Sequence, residues 1–226
     1  MLNLSHVIPI MATWHLAFME ISKHKSEAVS KNLNHLLHTL IYIAHYTCDY
    51  NVIYATQISI GFYLYDTLYL MRSAVQMFCV VSAEKIMHTK MPAPSIAPIA
   101  PYLLHHAIAI CMLNMAINDP MHTEFILHAY YILATSNIML YVSDHVHKEC
   151  ADRKLVMLSE LVQFVWYTHY RIFKLSAFLY DSHAEAFQLG ICACAMIATL
   201  YAMGVAWSHQ LFVKNMRNCK TIAMAH

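Results

Sequence analysis

Residues 98–117 read Pro98-Ile99-Ala100-Pro101-Tyr102-Leu103-Leu104-His105-His106-Ala107-Ile108-Ala109-Ile110-Cys111-Met112-Leu113-Asn114-Met115-Ala116-Ile117, a stretch with no Asp, Glu, Lys or Arg. A bilayer's hydrocarbon core is about 30 Å thick, and about 20 such residues in a helix cross it. Outward from this stretch, six more apolar runs appear at 8–22, 33–48, 54–77, 123–143, 155–180 and 186–213. The first two are short for a bilayer, which implies little tilt or a partly interfacial position. Most connectors are short; residues 81–97 are the exception, where Pro92, Pro94 and Pro98 predict a helix break before the fourth span. The expected fold class is therefore all-α, a polytopic membrane protein of about seven transmembrane helices.

Composition agrees with that reading. Of 226 residues, 59% are hydrophobic and 12% charged, about half the charged share usual for a soluble domain. Mean hydropathy is +0.45. Three glycines and six prolines supply little turn material for a β-rich fold. The net charge of +1 argues against a nucleic-acid partner, which needs a basic stripe. Seven cysteines, mostly within apolar runs, are expected to be buried free thiols. No basic segment precedes the first apolar run, so neither a cleavable signal nor an Arg-rich transit peptide is predicted.

Cation placement orders the spans. Lys23, Lys25 and Lys31 occupy the first connector, Lys85 and Lys90 the third, Lys148, Arg153 and Lys154 the fifth, and Lys214, Arg217 and Lys220 the tail. The alternate connectors lack Lys and Arg but carry Asp49, Asp119 and Asp181. The positive-inside rule turns this alternation into an odd number of spans, with the N-terminus outside or lumenal and the C-terminus in the cytoplasm or matrix. Three segments result: 1–31, a first helix with its basic connector; 32–217, the main bundle; and 218–226, a short polar tail.

Ionisable groups at membrane depth are costly and usually face the bundle interior. His38, Asp66, His105, His106, Ser136 and Asn137 each stand roughly five to eight residues from the inner end of their span, about 10 Å of helical rise. Four helices would thus place polar groups in one layer, a pocket in the inner leaflet. A histidine near a carboxylate can act as a general base or an acyl acceptor; the same residues also serve as interhelical hydrogen-bond glue. Arg171 and Lys174, one turn apart on the sixth span, are placed to snorkel, to pair, or to hold a lipid phosphate. Seventeen histidines invite a di-metal reading, but His35-x-x-His38, His105-His106 and His145-x-His147 imitate such clusters loosely. Adjacent histidines diverge by about 100° on a helix, so no metal is expected.

Leu37-His38-Thr39-Leu40, Gly61-Phe62-Tyr63-Leu64-Tyr65-Asp66, Leu103-Leu104-His105-His106, Thr135-Ser136-Asn137 and Tyr170-Arg171-Ile172, with Trp207, occur in an order that resembles the TLC-domain family from about Asn32 onward. The likeness is nearer to its small members than to the ceramide synthases. The resemblance implies a barrel-like helical bundle around a lipid-binding cavity lined by Asp66, His105 and His106, with His38 a weaker candidate. The paired-aspartate element of the synthases is missing from Phe125–Tyr131, which argues against ceramide synthesis and weakens the case for catalysis.

The expected function is non-catalytic binding of a phospholipid or acyl lipid, for lipid handling or membrane homeostasis, with His38, Asp66, His105, His106, Ser136, Asn137 and Arg171 as ligand contacts. One alternative is a structural accessory subunit of a large membrane complex, such as a respiratory assembly. The other is a lipid acyltransferase acting on an amine or hydroxyl, with His105 or His106 as base and Asp66 beside it. No cofactor is expected; the partners would be membrane lipids and other membrane subunits. The compartment stays open between the endoplasmic reticulum and the mitochondrial inner membrane.

Overall fold

The computed structural model describes residues 4–48, 50–86 and 99–223, with side chains within 5–48, 50–76 and 99–218. Asp49, Lys90 and the helix break at Pro92, Pro94 and Pro98 lie outside the described residues, as do the side chains of Cys79, Lys85, Cys219 and Lys220. Every regular element among the described residues is helical. The order is α1 (Leu4–Ser22), α2 (Glu27–Thr47), α3 (Val52–Ile86), α4 (Ala100–Asn118), α5 (Thr123–Glu149), α6 (Arg153–Thr168), a π-helical turn (His169–Lys174), α7 (Leu175–Asp181), α8 (His183–Gln188) and α9 (Ile191–Ala223).

Local chemistry explains the boundaries. Ser26 caps α2 by accepting from the Val29 amide, with Glu27 in the first turn, where a negative charge suits the helix dipole. Asp152 caps α6 through the amides of Lys154 and Leu155. His147 and Lys148 occupy the last turn of α5, the end that favours positive charge. Each apolar stretch coincides with helix, but three differ from expectation. The third helix runs on to Ile86, so part of the 81–97 connector is helical. A π turn interrupts the sixth without ending it. The seventh stretch divides where Gly190 adopts φ +85°, a conformation that glycine reaches without a Cβ penalty. Beyond that break α9 continues to Ala223, past residue 217.

Among the described residues, three helical segments are long and apolar enough to cross a membrane: Ala100–Asn118, Thr123–Glu149 and Ile191–Asn218. The remaining long rods carry more polar residues, and many of these point inward. Buried polar side chains include Asn34, His38, Ser59, Asp66, His106, Glu160, Gln163 and Arg171, whereas Leu158, Val165, Phe173, Ile191 and Phe212 lie on the outside. Polar side chains therefore share the interior with a hydrophobic core, and large apolar side chains also face outward. The expected burial of the cysteines needs correction: the five described are free, yet Cys48, Cys111 and Cys192 sit on the apolar exterior.

Six helices form a closed ring in the order α2, α5, α6, α9, α4, α3, and α1 packs outside against α2 and α3. Gly61 lets α1 approach closely, since a Cβ there would stand 2.5 Å from Ile10 Cγ2. At one end, Lys25 pairs with Glu149 at 2.9 Å and Lys148 Nζ donates to the Ala28 carbonyl, gathering the basic connectors together. At the other end α4 and α5 meet through a short turn, where Thr123 Oγ1 donates to the Ala116 carbonyl at 2.7 Å. Met112, Leu113, Phe125, Ile126, Leu175 and Leu200 fill that end with a continuous core.

Candidate ligand-binding cavity

The ring encloses a cavity of about 440 Å³ that reaches the basic end, within the range of roughly 300–1,000 Å³ usual for small-molecule sites. All six ring helices line it. His38 comes from α2, Asp66 from α3, His105 and His106 from α4, Asn137 from α5, Glu160 and Gln163 from α6, and Trp207 and Lys214 from α9. A smaller apolar chamber lies deeper, walled by Ala109, Met112, Leu175, Ile197 and Leu200; it shares Tyr63, His105, Tyr130, Ala134 and Asn137 with the main cavity.

Of the seven expected contacts, five therefore converge on one space. Ser136 does not line it: the residue is fully buried, and its hydroxyl donates to the Leu133 carbonyl at 2.6 Å. Arg171 stands behind the wall, with no exposed surface.

Asp66 organises the mouth side. Its Oδ1 lies 3.4 Å from Lys31 Nζ and 3.3 Å from His35 Nε2, and its Oδ2 lies 3.4 Å from His106 Nε2. His106 also meets Thr67 Oγ1 at 3.3 Å. His38 stacks on Phe62 at a ring separation of 4.1 Å and hydrogen-bonds Ser59 Oγ at 3.0 Å. Deeper in, the Tyr130 hydroxyl donates to that of Tyr63. Lys31 and His35 were not anticipated as partners of Asp66. The signal was present, because positions 31, 35 and 38 share one helical face.

Charges along the lining cancel in pairs. Lys31 faces Asp66, Lys148 faces Asp144 at 2.5 Å, and Lys214 faces Glu160 at 2.8 Å. Glu160 Oε2 also accepts from Asn218 Nδ2. Among the described residues, no group of three His, Cys, Asp or Glu side chains gathers closely enough to hold a metal ion.

Arg171 follows different rules. The π turn rotates it further from Lys174 than an α-helix would, so Arg171 is buried while Lys174 faces out. Its guanidinium carbon lies 5.6 Å over the Tyr167 ring. Nε and both Nη atoms make no well-aligned hydrogen bond among the described residues; the Tyr167 side chain is the polar group that interacts with the guanidinium, and no carboxylate of the described residues stands within ion-pair distance. Gly204 on α9 makes room for the stem, since a Cβ there would be 2.6 Å from Arg171 Cγ. His105 Nδ1 is also buried without a partner. The site thus offers two kinds of polar group, those already satisfied within the protein and those still open.

Fold and cavity together define a class: an all-helical ring with many apolar side chains on its exterior and a polar-lined cavity at one end of its core. Compared with known proteins, the chain matches no family model, no curated protein and no solved structure.

Proposed function

We propose that the chain is an integral membrane protein, a seven-span TLC-like bundle, whose cavity binds a phospholipid or acyl lipid without transforming it. One observation carries this reading: His38, Asp66, His105, His106 and Asn137, brought by four helices, line one space that ends in an apolar chamber. The main cavity, about 440 Å³, has room for a head group and part of a chain, and its apolar end of about 40 Å³ accepts no more than a chain terminus. The apolar exterior supports membrane residence. The cations gathered at one end support an orientation with that end toward the cytoplasm or matrix. Lipid handling is preferred to acyl transfer because the paired acidic element of the synthases is missing after the histidine pair.

The test is native mass spectrometry of the protein extracted gently from its own membrane. A monomer or dimer that retains one selective lipid is the expected result. Recovery solely within a large assembly, with no selective lipid, would replace this reading with that of an accessory subunit.

A further inference from the structure

We infer that the ligand carries an oxyanion, a carboxylate or a phosphate, that docks on Arg171 at the junction of the two chambers. This inference rests on the lipid-binding reading and narrows it to a chemical class.

The placement follows from helical register. On α9, Ile197 and Leu200 wall the deep chamber and Trp207 the main cavity; Gly204, which receives the Arg171 stem, lies between them. On the sixth rod, Glu160 and Gln163 line the main cavity and Leu175 the deep chamber, again with Arg171 between. His105 Nδ1, on the cavity wall, is likewise buried and unpartnered among the described residues.

A buried guanidinium without a counter-ion bears an uncompensated desolvation cost. Asp66 and Glu160, the carboxylates buried among the described residues, are already engaged by Lys31 and Lys214. The missing negative charge therefore comes with the ligand. A guanidinium fork matches the two oxygens of a carboxylate or phosphate, and a water-poor surrounding strengthens the pair. Since Arg171 has no exposed surface here, docking requires a side-chain movement at the junction.

The experiment uses full-length protein stripped of lipid in detergent, with three labelled probes of similar chain length: palmitate, a lysophosphatidate and hexadecan-1-ol. The expected result is that palmitate or the lysophosphatidate binds about tenfold to a hundredfold more tightly than hexadecan-1-ol. Arg171→Gln should abolish that preference and Arg171→Lys should retain part of it. The better of the two anions identifies the head group. Displacement by inorganic phosphate with no gain from a chain would assign the site to a soluble anion. Equal binding of all three probes to the wild type would overturn the inference and leave the lipid reading standing. Saturable binding of none would overturn the lipid reading itself. An anion preference unchanged in Arg171→Gln would also overturn the inference. If that variant does not fold, the wild-type preference decides alone.

Discussion

Asp66 and Arg171 are both buried ionised side chains within one helical ring, and they differ in whether the chain supplies their partners. Lys31, His35 and His106 surround Asp66. Arg171 has Tyr167 beside it and a glycine making room for it, but no carboxylate among the described residues. At Asp66 the chain itself supplies the partners of a buried charge; at Arg171 the described residues supply no counter-ion. Burial and charge are alike at the two positions, so the missing partner is the feature that separates them.

The largest expected effect falls on the satisfied side. Asp66→Leu removes the hub and strands Lys31, which should cost about 3 kcal/mol, the lower end for a broken buried pair because Lys31 reaches solvent. Thermal unfolding in detergent checks this, with Asp66→Asn as the milder control. An equal loss in both variants would mean that charge, not hydrogen bonding, holds the mouth together.

Gly204→Ala comes next. The added methyl meets the Arg171 stem, and over-packing of this kind costs about 2 kcal/mol. Combined with Arg171→Ala, the penalty should shrink by about 1 kcal/mol in a double-mutant cycle. Strict additivity would show that the two residues do not press on each other in solution.

Arg171→Met sharpens the contrast because its expected sign is opposite. In lipid-stripped protein it should raise stability by roughly 1 kcal/mol, since it deletes an unpaired buried charge. A loss of stability there would reveal an internal partner and erase the distinction from Asp66. The smallest effect belongs to the exposed Lys25–Glu149 pair: Lys25→Ala should leave the unfolding midpoint nearly unchanged, and high salt should remove any residual shift.

The helices themselves were legible because hydropathy and helix-capping signals are local in sequence. Runs of apolar residues located every rod, and Ser26 and Asp152 mark starts that their neighbours demand. The π turn at His169–Lys174 was not legible, since Tyr170-Arg171-Ile172 reads as ordinary helix. Its widened turn accompanies the fit of Arg171 against Gly204, a contact between residues far apart in sequence. The convergence of His38, Asp66, His105, His106 and Asn137 could be anticipated, because counting residues from the basic ends gives depth along each helix. Rotation about each helix could not be counted. Ser136 therefore turned to its own backbone while Asn137, one residue on, reached the cavity.

By itself, the sequence determined that the chain is helical, where its helices lie, and that polar groups would collect at one depth. These properties depend on the order of residues along one dimension: apolar runs, caps and the spacing of cations. Only the tertiary structure decided which histidine faces Asp66 and which keeps an open nitrogen, and that Glu160 is matched by Lys214 while Arg171 meets no carboxylate among the described residues. Partnership between side chains depends on the azimuth of each helix and on the packing of distant helices into a ring. Both are settled by the joint burial of all six ring helices rather than by any one segment.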